Sequence, residues 1–101
     1  DSSYVLPNTA PNNLHSYYVF VVQHDNRERI IKELKKQGIN VNISYPYPIH
    51  TMEGFSDLGY KNGDLPVTEY VSSRIFSLPM YPNLSESDQD FVIKILKKLD
   101  N

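Results

Sequence analysis

At 101 residues the chain has room for one domain and one modest core, because a domain of this size buries only roughly two-thirds of the surface its unfolded chain exposes. Hydrophobic residues make up 40% and aromatics 12%, which excludes a disordered or fibrous chain. Ten Lys and Arg stand against twelve Asp and Glu, a formal charge of -2 with no basic stripe, so nucleic acid is excluded as a partner.

Residues 1–16, with Pro7, Pro11 and the polar run Asn8 to Asn13, read as an extended lead-in loop in which Tyr4, Val5 and Leu6 can still dock. From Tyr17 to Val22 consecutive β-branched and aromatic residues predict a central strand covered on both faces. Asp25 stands three residues before Glu28, the spacing of a capping box, so a helix is expected to start there. Ile30, Ile31 and Leu34 form its apolar face, Lys32, Lys35 and Lys36 its wet face, and Gly38 its stop. Ile39, Val41, Ile43 and Tyr45 alternate with Asn40, Asn42 and Ser44, which predicts a strand with Tyr45 as its last core-facing member.

Pro46 and Pro48 end that strand, and Ile49 to Gly59 can hold only a turn or two of helix around Phe55 and Leu58. Asp64 followed by Pro66 reads as a capped first turn, with Val67, Tyr70, Val71 and Arg74 to Ile75 at helical spacing. Phe76 to Leu78 is a short strand closed by Pro79. Ser85, three before Asp88, caps a last helix with a stripe of Phe91, Val92, Ile95, Leu96 and Leu99. Together these elements predict an α/β chain: an α+β two-layer sandwich with a small, mostly antiparallel sheet and about three helices on one face. It is expected to be a single domain over 1–101, with its core in 17–99. The opening Asp1-Ser2-Ser3, without Met, reads as part of a longer protein.

Cysteine is absent, which excludes disulfides and thiolate metal sites and suits the cytoplasm. No apolar run is long enough to span a bilayer. Four glycines form no phosphate loop, and no nucleophile elbow occurs. His15, His24 and His50 lack the short spacing of metal ligands, so no metal is expected. Phe55, Tyr60, Phe76 and Tyr81 read as packing residues, and the helix lysines as solvated faces. The unusual segment is Ser44-Tyr45-Pro46-Tyr47-Pro48-Ile49-His50, where two prolines stiffen a loop presenting tyrosines and a histidine at a strand end. Such loops carry binding groups, although a histidine bonded to backbone within a proline-shaped turn is the plain alternative.

Around this loop the residues run in a recognisable order. His15-Ser16-Tyr17-Tyr18-Val19-Phe20, Asn26-Arg27, Gly38-Ile39 and Tyr45-Pro46-Tyr47-Pro48-Ile49-His50 are followed by Leu58-Gly59-Tyr60, Gly63-Asp64-Leu65-Pro66-Val67-Thr68-Glu69 and Ser77-Leu78-Pro79-Met80-Tyr81-Pro82. From about Leu6 to Leu99 this series resembles the C-terminal domain of the DegT/DnrJ/EryC1/StrS aminotransferases. The resemblance implies a fold-type I, pyridoxal-phosphate-dependent homodimer that moves an amino group, usually from glutamate, onto a nucleotide-linked keto-sugar for amino-sugar and surface polysaccharide biosynthesis. It also implies that the cofactor's lysine and its acidic partner lie in a large domain outside this chain, so the chain alone is expected to bind no cofactor and to be inactive.

By position, the resemblance makes His50 the first substrate-binding candidate, followed by Tyr45 and Ser44, with no catalytic, cofactor or metal residue in this chain. Ser44 and Tyr18 stand where the family often has histidines, and Met52 where a glutamine often follows. The alternative from a different class is a non-catalytic α/β binding or regulatory module, which the same architecture could support.

Overall fold

In a computed structural model the chain is described over residues 2–100; Asp1 and Asn101, the ends of the expected 1–101 unit, lie outside them. Strand β1 (Phe20–Gln23) pairs antiparallel with β2 (Ile75–Leu78), with Phe20 opposite Leu78 and Val22 opposite Phe76. Since side chains alternate along a strand, these four share one face of the ribbon. Pairing extends by one residue beyond each edge. Val5 and Gln23 exchange two backbone hydrogen bonds of 3.0 Å, and Asn42 and Ser77 exchange two of 3.1 and 2.7 Å. The lead-in loop therefore docks, as expected for Val5.

Helix α1 (Arg27–Lys36) lays Ile30 and Leu34, both with 0% exposure, against Val22, Phe76 and Ile39, and Leu96 of α3 (Glu86–Leu99) completes the core. Each fully buried side chain of this size is worth about 1.5–3 kcal/mol. Between them lie two 3-10 turns, Ile49–Thr51 and Glu53–Leu58, and the short helix α2 (Pro66–Ser72). The expected α/β architecture is thus present, among the described residues as a two-stranded antiparallel ribbon with three α-helices.

The signals that held are local ones. Gly38, at φ +77, donates its N–H to Lys35 O while Ile39 N–H reaches back to Leu34 O, and Leu34 and Ile39 meet in the core. This is a Schellman stop, and only a residue that tolerates a left-handed backbone serves it cheaply. Ser85 caps α3 by accepting the Asp88 N–H at 3.1 Å.

Other expectations are corrected. The first strand does not run from Tyr17: Tyr17 is left-handed at φ +48 and Tyr18 is 88% exposed, so the chain turns before pairing begins at Phe20. Asp25 does not cap α1; its carboxylate is taken by the buried Arg74, and Asn26 occupies the cap position without a side-chain bond. The segment from Ile39 to Tyr45 keeps its alternation, with Ile39, Val41 and Ile43 inward, but forms one bridge instead of a strand. Tyr45 is 73% exposed rather than core, because the pairing has ended at Asn42 and Pro46 follows. Asp64 accepts the Lys61 N–H instead of capping α2. That helix stops at Ser72, short of Arg74 and Ile75, with Arg27 donating to the Ser72 carbonyl at 2.7 Å. Of the aromatics read as packing, Phe76 is buried, whereas Phe55, Tyr60 and Tyr81 are about half exposed.

Candidate functional site

The second proline of the stiff loop builds the turn that holds His50. Pro48 has extended backbone, and its carbonyl accepts both the Thr51 N–H at 3.0 Å and the Thr51 hydroxyl at 2.9 Å. Closing this turn sends the His50 ring inward, where it is 7% exposed. Its Nε2 lies 2.8 Å from Oε1 of Glu69, in the first turn of α2. The Tyr60 ring meets it edge-on, with centroids 6.4 Å apart and planes at 82°.

Glu69 does more than meet the imidazole. Both its oxygens accept the Gly63 N–H at 2.9 Å, and Oε1 also lies 3.4 Å from the Leu65 N–H. The His50 bond first, and then the Gly63 N–H, hold its carboxyl below the usual glutamate range. The carboxylate thereby ties the Gly63–Leu65 bend to the histidine turn. In the sequence Asp64 stands as the apparent cap and so conceals Glu69. An acid three residues beyond the Pro66 that opens a helix, in reach of N–H groups behind it, was the available signal.

The other two candidates do not join His50. Ser44 is exposed and its hydroxyl accepts from Asn42 Nδ2 at 3.0 Å. Tyr45, with Pro48, Val67, Thr68 and Val71, lines a shallow cavity of about 330 Å³ beside α2. Among the described residues neither has a hydrogen bond or ring contact with the imidazole. The remaining histidines each accept a backbone N–H two residues on. His15 Nδ1 accepts the Tyr17 N–H at 2.8 Å on the surface. His24 is buried, accepts the Asn26 N–H at 2.9 Å and packs on Tyr4. Burial of Tyr4, whose hydroxyl donates to Leu96 O at 3.2 Å, pushes its phenol up to about 12.

A lysine that holds pyridoxal phosphate needs a sheltered amine, and the pyridine nitrogen needs a sheltered acid. Every lysine here is exposed, and among the described residues no Asp or Glu is buried. Among the described residues, then, neither a lysine nor an acid is sheltered in the way the cofactor would need. Among the described residues no group of three His, Asp or Glu is placed for a metal ion, and no helix is long and apolar enough to cross a membrane.

Comparison with known proteins covers this same architecture. A "dTDP-3-amino-3,4,6-trideoxy-alpha-D-glucose transaminase" of Micromonospora megalomicea subsp. nigra is 50% identical over 95 residues, which is 93% of this chain and 25% of that protein. A DegT DnrJ EryC1 StrS aminotransferase from Brucella abortus superposes with a TM-score of 0.86 at 32% identity, over 98% of this chain and 26% of that one. DesV of S. venezuelae, solved in complex with a ketimine intermediate, superposes with a TM-score of 0.93 at 26% identity, over 98% of this chain and 27% of that one. The chain thus spans about a quarter of the length of these relatives. With the model of the DegT/DnrJ/EryC1/StrS aminotransferase family also matching residues 2–97, the chain belongs to that family.

Proposed function

We propose that this chain is the C-terminal domain of a homodimeric, pyridoxal-phosphate-dependent aminotransferase of the cytoplasm. The enzyme moves an amino group, with glutamate as donor, onto the C3 keto group of a thymidine-diphosphate-linked deoxy sugar, and His50 contacts that sugar. The observation that carries the reading is the 50% identity, over nearly the whole chain, to a transaminase whose name states such a product. The lysine and acid that hold the cofactor then belong to the rest of the protein. Exposed Leu14 and Tyr18 on one segment, and Tyr45, Tyr47 and Ile49 on the proline loop, support burial of these surfaces in a larger assembly.

The role of His50 follows from its place in the stiff loop. A single polar contact strengthened in the transition state is worth on the order of 2 kcal/mol or more. In the full-length protein supplied with pyridoxal phosphate, glutamate and a dTDP-linked 3-keto sugar, amine should form on the sugar. The His50→Ala variant should lose at least about thirtyfold in kcat/KM. No amine from any dTDP-keto sugar would overturn the proposed activity, and unchanged kinetics in the variant would overturn the role of His50.

A further inference from the structure

We infer that Glu69 is a positioning residue. It fixes His50 in the Nε2–H tautomer and so leaves Nδ1 as a hydrogen-bond acceptor for a substrate hydroxyl. The inference rests on the proposed role of His50 and adds to it the chemical sense of the contact.

An ionised carboxylate can only accept a hydrogen bond. At 2.8 Å from Glu69 Oε1, Nε2 must therefore be the protonated nitrogen. Because Glu69 also accepts the Gly63 and Leu65 N–H groups, it stays ionised and cannot turn away without breaking the bend. When the imidazole is neutral, one nitrogen donates and the other accepts, so the lone pair then lies on Nδ1. Nδ1 has no hydrogen bond among the described residues, and it is not among the buried, unpartnered polar atoms, so it retains contact with solvent. The Tyr60 edge and the Pro48 turn hold the ring plane, which leaves an oriented acceptor at the surface of a buried histidine. A hydroxyl or an amine N–H can donate to it, whereas a carbonyl or phosphate oxygen cannot. The partner is accordingly a donor group on the sugar.

A carboxylate that only braced the bend would act whether or not His50 were present. The deciding experiment is therefore a double-mutant cycle in the full-length holoenzyme, with Glu69→Ala, His50→Ala and the pair, read as kcat/KM for the dTDP-keto sugar. Glu69→Ala is expected to cost roughly tenfold with His50 present and nothing further in the His50→Ala background. An equal loss in both backgrounds would overturn the positioning role while leaving the His50 contact standing. No loss from His50→Ala itself would instead overturn the underlying contact.

Two further measurements keep the inference testable if Glu69→Ala fails to fold. His50→Asn places an acceptor oxygen near the position of Nδ1 and should recover part of the activity that His50→Ala loses; no recovery would count against acceptance at Nδ1. In ¹⁵N-histidine-labelled wild-type protein, His50 should show the spectral pattern of the Nε2–H tautomer. An Nδ1–H pattern would overturn the inference directly.

Discussion

Arg27 offers a quantitative test of how the site is anchored to the core. It opens α1, and its Nη1 donates to Ser72 O at 2.7 Å and to Ile75 O at 3.3 Å. Ser72 O is one of the carbonyls that the end of α2 leaves without a helical partner. The same guanidinium meets Glu28 through Nε and Nη2 at 3.0 and 2.8 Å, but the Glu28 side chain is 79% exposed, so that pair contributes only about 0–1 kcal/mol. Arg27→Met keeps the apolar stem and removes the two bonds to backbone carbonyls. A hydrogen bond from a charged donor is worth about 1.5–3 kcal/mol, and the longer one falls at or below the weak end. The expected loss is therefore about 2–4 kcal/mol, and Arg27→Lys should fall between wild type and Met because it keeps the charge without the fork. Urea unfolding of this chain, followed by far-ultraviolet circular dichroism, measures it. A Met variant within about 0.5 kcal/mol of wild type would refute the view that Arg27 bolts α2, and with it Glu69, to the core.

Gly38→Ala should cost about 1–2 kcal/mol in the same assay, because the backbone there is left-handed at φ +77 while the space around a new Cβ is open. A cost near zero would mean that the stop of α1 relaxes freely. Acid should weaken the fold in two stages. Burial, the largest influence, holds His24 below its ordinary 6.5, although Asp100 pulls the other way. The unfolded chain then binds that proton more readily, so the His24 contribution is complete above about pH 6.5 and is lost as pH falls toward the folded value. Glu69 and Asp100, held below their ordinary 4.5 and 3.8, add a second loss as pH falls below those values. His24→Asn keeps an acceptor for the Asn26 N–H and cannot titrate, so the first stage should flatten in urea midpoints measured against pH. An unchanged first stage would assign it to another group.

Local stop and start signals were legible in the sequence where one residue type does one job. Gly38 ended α1 and Ser85 began α3 as their chemistry dictates. The ribbon was harder to read, since apolar alternation over Ile39 to Ile43 shows which side chains face inward but not whether the backbone finds a partner beyond Asn42. Caps built on acids misled for a related reason. Asp25 had a stronger long-range suitor in Arg74, and Asp64 closed its own bend instead of the helix. The same competition hid Glu69, whose importance depends on the fold bringing it to an imidazole nineteen residues away. His50 could be singled out because Pro46 and Pro48 mark its loop. Its burial and its pairing with a carboxylate came only from the tertiary structure.

The proposed activity of the protein containing this chain is sugar amination. It is tested most directly by following cofactor absorbance in the full-length protein through two successive additions. Glutamate should convert bound pyridoxal phosphate to its amine form, and a dTDP-linked 3-keto sugar should restore the starting spectrum in proportion to the amino sugar formed. A protein that takes up no cofactor, or whose amine form no nucleotide-linked keto-sugar discharges, would overturn the proposed activity.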